Sequence, residues 1–358
     1  MATYYPDQTT ILPMTTIRRE RTLPPDVIGE VTVQLDAFVS AVDVVARGTR
    51  ASRYLVIDLR NALGVDDPAA IAARLHVRAD QVIRKGDILA GDKKNRRTLL
   101  RAPVTGRVHS VVDGRLVLKT GLSEVIVRAG FRGVVTSVRP RGVLLETTGG
   151  LVQGVWGNGR SCLGALKMAP RGGLGVLEIE EITPDWRGAI VVSPQPLDRL
   201  ALAKAEAQTL GAVIAPSMPA DLRPVALKLK IPIMLTEGFG SEPMNRLAQE
   251  VLESYAGMQA SLSAHEPNRW SPDRPEVIIP AQADLRPPPP ARDEPLRPGA
   301  EVRIIRQPYA GTIGRVRSLP RVPQRIENGL RLPVAEVLLP SGRTVTVPLV
   351  NLELFGRG

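Results

Sequence analysis

The spacing of apolar positions changes along this chain, and those changes divide it. Residues 1–27 are polar with prolines at 6, 13, 24 and 25, which predicts a flexible tail with at most one early strand at 15–18. From residue 29 the apolar positions fall in short β-branched runs punctuated by Gly, Asp and Pro, the pattern of strands joined by tight turns. Such runs predict strands at 102–108, 111–118, 125–127, 134–138 and 143–146. The stretch 149–170, glycine-rich and holding Trp156 and Cys162, reads as loop. Near residue 183 the period lengthens. Strands at 189–192, 212–215 and 231–235 alternate with helices at 196–210, 221–230 and 244–255, which calls for parallel strands with crossover helices. Ser193, Ser217 and Thr236 then fall at the carboxyl edge of those strands, where open parallel sheets bind ligands, and Ser217 or Ser241 is expected to cap a helix.

Residues 263–295 hold the densest proline, including the run 287–290, and read as an extended linker. The expected fold class is therefore multidomain and mainly β with one small α/β domain. The boundaries are a tail at 1–27, a β-rich domain at 28–182, a three-stranded parallel α/β unit at 183–262, a linker at 263–295 and a compact β module at 296–358.

An internal repeat lies inside the β-rich part. Residues 33–48 (VQLDAFVSAVDVVARG) align without gaps on residues 77–92 (VRADQVIRKGDILAGD), pairing Val33 with Val77, Asp36 with Asp80, Asp43 with Asp87 and Ala46 with Ala90. Each copy reads as strand, turn, strand.

Two resemblances follow from local motifs. In the last module, Arg297-Pro298-Gly299-Ala300, the run 302–305 and Tyr309-Ala310-Gly311-Thr312-Ile313-Gly314-Arg315-Val316 carry a Gly-led turn, a strand and a Gly-x-x-Gly-x-Val pattern. This resembles a KOW domain, the SH3-like barrel of NusG-type and ribosomal proteins. The resemblance implies contact with RNA or a transcription or translation complex. The loop 318–332 is longer than the minimal family pattern. In the first β region, Lys85-Gly86-Asp87-Ile88-Leu89-Ala90 followed by Arg101-Ala102-Pro103-Val104-Thr105-Gly106-Arg107-Val108 is similar to the barrel-sandwich hybrid of biotinyl and lipoyl carriers. The same rhythm occurs in the N-terminal part of one subunit of the sodium-translocating NADH:quinone reductase and in the related RnfC. The loop holding Lys93 and Lys94 lacks the neighbours that a carrier's ligase reads, so Lys93, Lys94, Arg96 and Arg97 read as an exposed basic hairpin.

Charge sharpens the functional reading. The chain carries 47 Lys plus Arg against 36 Asp plus Glu, a surplus that favours polyanions. The candidate anion contacts are Arg303, Arg306, Arg315, Arg317, Arg321, Arg325, Arg331 and Arg343 in the last module, with Lys93, Lys94, Arg96 and Arg97. Arginine suits phosphate because its planar fork donates two parallel hydrogen bonds. Aromatic residues make up only 3%, which argues against a single-strand binder built on stacked rings.

Cys162 is the one cysteine, so it forms no intrachain disulfide. His76, His109 and His265 show no metal-ligand spacing, and neither glycine-rich tract has dinucleotide or phosphate-loop spacing. No cofactor or catalytic residue is expected. No 18-residue apolar run or secretory leader is present, so a cytoplasmic location is expected. The function expected is a non-enzymatic binding or scaffold protein that contacts nucleic acid or a nucleoprotein complex, with protein partners. The alternative is a cytosolic component of a multisubunit or membrane-associated assembly that binds acidic protein or anionic lipid.

Overall fold

The structure, a computed structural model, describes residues 4–50, 53–92, 99–121, 123–176, 186–267, 273–290 and 294–355. It is mainly β, with several sheets and few, short helices. The largest sheet has eleven strands. At one end Ile190–Val192, Ala212–Met218 and Ile233–Phe239 run parallel, and Arg160–Met168 extends them in the same sense. The period-two alternation of these strands feeds two cores. Val191, Val213, Ile233 and Leu235 pack under the helices Arg199–Ala207 and Arg223–Lys228 on one face. Ile190, Val192, Ile214 and Met234 pack under Arg246–Ser254 on the other. Strands covered on both faces read as near-continuous apolar runs, and these do until Ser217 and Thr236-Glu237 near their carboxyl ends. The helix caps come from Asp198 and Asn245 rather than from the serines expected. Ser217 instead donates to the Glu242 carbonyl at 2.7 Å.

The sheet does not stop where the sequence pattern changes. Beyond Arg160–Met168 it continues antiparallel through Gln259–Ala264, Glu276–Pro280, Gly142–Gln153, Gly133–Arg139 and Phe38–Val39. The stretch read as loop at 149–170 therefore holds parts of two central strands. Gly159 does sit in a turn, at φ 78° with open space around it, but other glycines there mark close approach: a Cβ on Gly150 would stand 2.6 Å from the Tyr255 ring, and one on Gly164 2.4 Å from the Gly188 carbonyl oxygen. Of the segment expected as a tail at 1–27, residues 4–27 are described and are not one, because Ile11–Thr22 pairs along Gly142–Gln153. The first half of that strand is largely apolar and its second half bunches Arg18, Arg19, Glu20 and Arg21, where Arg19 forms a two-pronged pair with the largely buried Glu276, so a polar-looking segment belongs to the core sheet. Nor do the described residues of 263–295 form a free linker. Glu276–Pro280 is a fully buried strand, and the proline run is pinned where Thr16 N–H and the Thr15 hydroxyl both donate to the Pro288 carbonyl, at 3.3 and 2.8 Å.

The two repeat copies have matching geometry. Asp36 and Asp80 both take the left-handed backbone conformation, at φ 61° and 65°. Their N–H groups donate at 2.8 Å to the carbonyls of Val135 and Val108. Asp43 and Asp87 each accept the N–H three residues back, from Ser40 at 2.7 Å and Arg84 at 2.8 Å. Arg128 donates to the Val42 carbonyl as Arg101 does to that of Gly86. The correspondence continues in the following hairpins, where Gly106, Val108, Ser110, Val111, Leu118 and Thr120 recur as Gly133, Val135, Ser137, Val138, Leu145 and Thr147. Each hairpin has its register shift at the same valine–serine step.

The second copy sits inside the first. Val44–Arg50 is answered by Ser123–Arg128 only after the whole second copy has intervened. That inner module has its own core of Leu59, Ile83, Leu89, Val108, Leu116 and Leu118. It also carries two short helices absent from the sequence reading, Leu59–Leu63 and Pro68–Ala73, capped by Asp58 and Asp67.

At the C-terminal end six strands form a further sheet, in the order Asp7–Thr9, Leu352–Phe355, Glu301–Ile304, Ile313–Ser318, Val334–Leu338 and Thr344–Pro348. One of the six comes from the other end of the chain: Asp7–Thr9 lies parallel to Leu352–Phe355. Deleting residues 1–10 removes that strand together with a hydroxyl bonded to a buried carboxylate. Urea unfolding of the truncated chain is expected to show a loss of at least about 1.5–3 kcal/mol, the worth of one hydrogen bond to a charged group.

Candidate nucleic-acid interface

The candidate arginines separate into one that is buried and several that are not. Arg303 lies on Glu301–Ile304, 2% exposed. Its Nε and Nη2 donate to Glu353 Oε2 at 3.0 and 2.6 Å, and its Nη1 to Glu237 Oε2 at 2.9 Å and the Thr236 carbonyl at 3.0 Å. Nη2 also reaches the Thr9 hydroxyl at 3.2 Å. The Thr9 hydroxyl itself donates to Glu353, and Arg274 bonds both, at 2.9 Å to Thr9 and 2.5 Å to Glu353. Two guanidinium groups thus meet two carboxylates. Arg303 is not an anion contact; its fork is saturated from within. Nothing local in the sequence marks this, because its partners are 50, 66 and 294 residues away.

The electrostatics follow from that enclosure. Burial opposes the charge on Arg303, but Glu353 and Glu237 hold its pKa above the ordinary value. Burial likewise pushes the Glu353 carboxyl up, and Arg303, Arg274 and the Thr9 hydrogen bond outweigh it, holding the carboxyl below its ordinary value. The same contacts close the carboxyl edge of the parallel strands, where a small ligand would be sought. Glu237 continues from Thr236, and Asn245 Nδ2 donates to its other oxygen at 2.5 Å. Gly311 of the C-terminal module approaches Glu242, since a Cβ there would lie 3.2 Å from its Cγ. Cys162 is unsuited to nucleophilic work, its thiol pushed up to about 12 by burial.

The other arginines of the module face solvent. Arg306, Arg315, Arg317, Arg321, Arg325, Arg331 and Arg343 are all exposed. Arg315 pairs loosely with Glu301 at 3.5 Å, Arg317 reaches the Thr344 hydroxyl at 3.4 Å, and Arg343 lies 6.0 Å from the Tyr309 ring centre. Arg306, Arg321, Arg325 and Arg331 make no ion pair among the described residues. The long 318–332 segment is a small hairpin of its own, Gln324–Arg325 paired with Arg331–Leu332. Arg325 and Arg331 are directly opposed in it, and Arg321 precedes its first strand. Like charges held opposite one another cost stability, so the hairpin concentrates unneutralised positive charge. Lys93, Lys94, Arg96 and Arg97 lie outside the described residues. Among the described residues no group of His, Cys, Asp or Glu is placed to hold a metal, and no helix is long and apolar enough to cross a membrane.

The chain matches no protein-family model, and no curated protein matches it at a significant level.

Replacing Arg303 with Met leaves two buried carboxylates short of a partner, and urea unfolding is expected to show a loss of roughly 3–5 kcal/mol. Arg325→Ala is expected to stay within about 0.5 kcal/mol. Because the Glu353 carboxyl is held low, its contribution is complete above about 4.3 and is lost as pH falls through the folded value. Glu353→Gln is therefore expected to lower stability at neutral pH and to flatten the acid side of a pH series of urea midpoints.

Proposed function

We propose that this protein is a non-enzymatic binding or scaffold protein that contacts nucleic acid, or a complex built on it, through its C-terminal module. The observation that carries this reading is the hairpin of Arg321, Arg325 and Arg331, exposed and without carboxylate partners among the described residues. The module around it, from residue 296 onward, holds ten arginines against four glutamates, with no lysine or aspartate. A field of one sign on a small sheet draws polyanions and steers their approach. The succession of antiparallel strands from Glu301–Ile304 to Leu352–Phe355 supports the KOW-like reading, with the extra length of the loop spent on the arginine hairpin. In the same way, the paired turns of the inner and outer repeats support the barrel-sandwich reading.

A second reading is favoured by one specific feature. Val322 and Leu330 on the same hairpin are 68% and 56% exposed. Apolar side chains among arginines suit the surface of an anionic membrane, in keeping with a component of a membrane-associated assembly.

The test uses the full chain with a short duplex of RNA or DNA over a salt series. The triple variant Arg321→Ala, Arg325→Ala, Arg331→Ala is expected to weaken binding and to reduce the log–log salt slope on duplex DNA by about 2.7, three contacts' worth. An unchanged slope would reject the hairpin as the contact. Sedimentation with phosphatidylserine vesicles but no duplex binding would select the membrane reading.

A further inference from the structure

The inner module presents a second surface of a different kind. Its four-stranded sheet runs Tyr54–Asp58, Arg115–Thr120, Gly106–Val112, Val82–Ile83. One face of it buries Leu116, Leu118, Val108 and Ile83 in the module core. On the opposite face a single row crosses all four strands: Tyr54 opposite Lys119, Lys119 opposite Arg107, and Arg107 opposite Val82. Tyr54 is 54% exposed and Val82 63%. The His109 ring lies edge-on to the Tyr54 ring, centroids 5.0 Å apart at 61°. Lys119 Nζ lies 5.9 Å from the Tyr54 ring centre. The sole carboxylate on the flanking strand, Asp58, lies at its far end and is committed to the N–H groups of Arg60 and Asn61.

We propose that this face binds single-stranded nucleic acid, with one base stacked on the Tyr54–His109 pair and adjoining phosphates held by Lys119 and Arg107. Bases stack on any exposed ring because each has a π-face, and cations beside the ring meet the backbone that follows. A four-stranded antiparallel sheet bearing aromatic and basic side chains on its open face is a geometry that suits two or three unpaired nucleotides. The row spans about 14 Å at the usual strand spacing, which matches that length. The low aromatic content of the chain does not bear against this, since the requirement is two rings brought together and not many rings overall. A duplex keeps its bases inside and offers this face only phosphates, so strandedness separates stacking from charge alone. The site is independent of the arginine hairpin, which is on another module.

The test is fluorescence anisotropy of labelled single-stranded oligouridine with the full chain. Tyr54→Ala combined with His109→Ala is expected to weaken binding roughly 5- to 150-fold, the range for loss of one stacked base. Tyr54→Phe is expected to retain it. Lys119→Ala is expected to reduce the salt slope by about 0.7. Both rings are at the surface, so the thermal transition of the double variant serves to show an intact fold. The hairpin triple variant is expected to change this binding less than its duplex binding. Wild-type affinity in the double variant, no binding by the wild-type chain, or displacement by duplex as effectively as by single strand would each overturn the proposal.

Discussion

A guanidinium taken out of water has to be met by charge from within, and Arg303 is met by partners drawn from three distant parts of the chain. Thr9 belongs to the N-terminal strand, Glu353 to the last strand, and Glu237 to the end of a parallel strand in the large sheet. Taking either carboxylate away leaves the buried guanidinium short of opposite charge, and such groups are costly far beyond an ordinary surface ion pair. The network therefore joins the two ends of the chain to the α/β region. It also decides what occupies the carboxyl edge of the parallel strands: the protein's own arginine and loop, where a ligand would otherwise have been sought.

That arrangement bears on function by sorting the arginines. In a chain with a large basic surplus, every arginine is an equal candidate until burial is known. Arg303 is consumed in holding the module in place, and its orientation is dictated by two carboxylates. Arg315 and Arg317 are partly engaged on the sheet surface. Arg306, Arg321, Arg325 and Arg331 make no ion pair among the described residues, and the last three lie in or beside a hairpin that has no place in either large core. Positive charge that does no internal work is what an external polyanion would meet. The inner module offers a contrasting surface, where fewer charges accompany two rings, and the two surfaces suit different forms of nucleic acid.

The nested repeat shows how one turn device can be used twice. Asp36 and Asp80 tolerate the left-handed conformation because a short polar side chain can bond nearby backbone. Asp43 and Asp87 close the next turn by accepting a backbone N–H. These are local requirements, so they survive in both copies while the surrounding apolar residues drift. The insertion of one copy into the other also explains why the inner module has a separate core. Its chain leaves and re-enters through a pair of adjacent strands, Val44–Arg50 and Ser123–Arg128.

Wherever local periodicity governs, the sequence was legible. The β-branched runs, the switch to alternating strands and helices after residue 183, and the repeated Asp turns all depend on neighbours a few residues apart. The parallel strands and their three helices were readable because burial on both faces demands continuous apolar runs. What the sequence could not disclose is whatever depends on long-range pairing. Ile11–Thr22 looks polar because its threonines and the charged run at 18–21 interrupt the apolar residues, and only pairing with Gly142–Gln153 and Glu276 turns it into a core strand. The glycines at 149–164 read as turns, since a sequence does not show whether a missing side chain frees a backbone or admits a neighbour. Arg303 looked like its exposed counterparts because charge is a property of the residue, whereas burial is a property of the fold. Tyr54 and His109, 55 positions apart by their numbering, become a pair only when three strands have aligned.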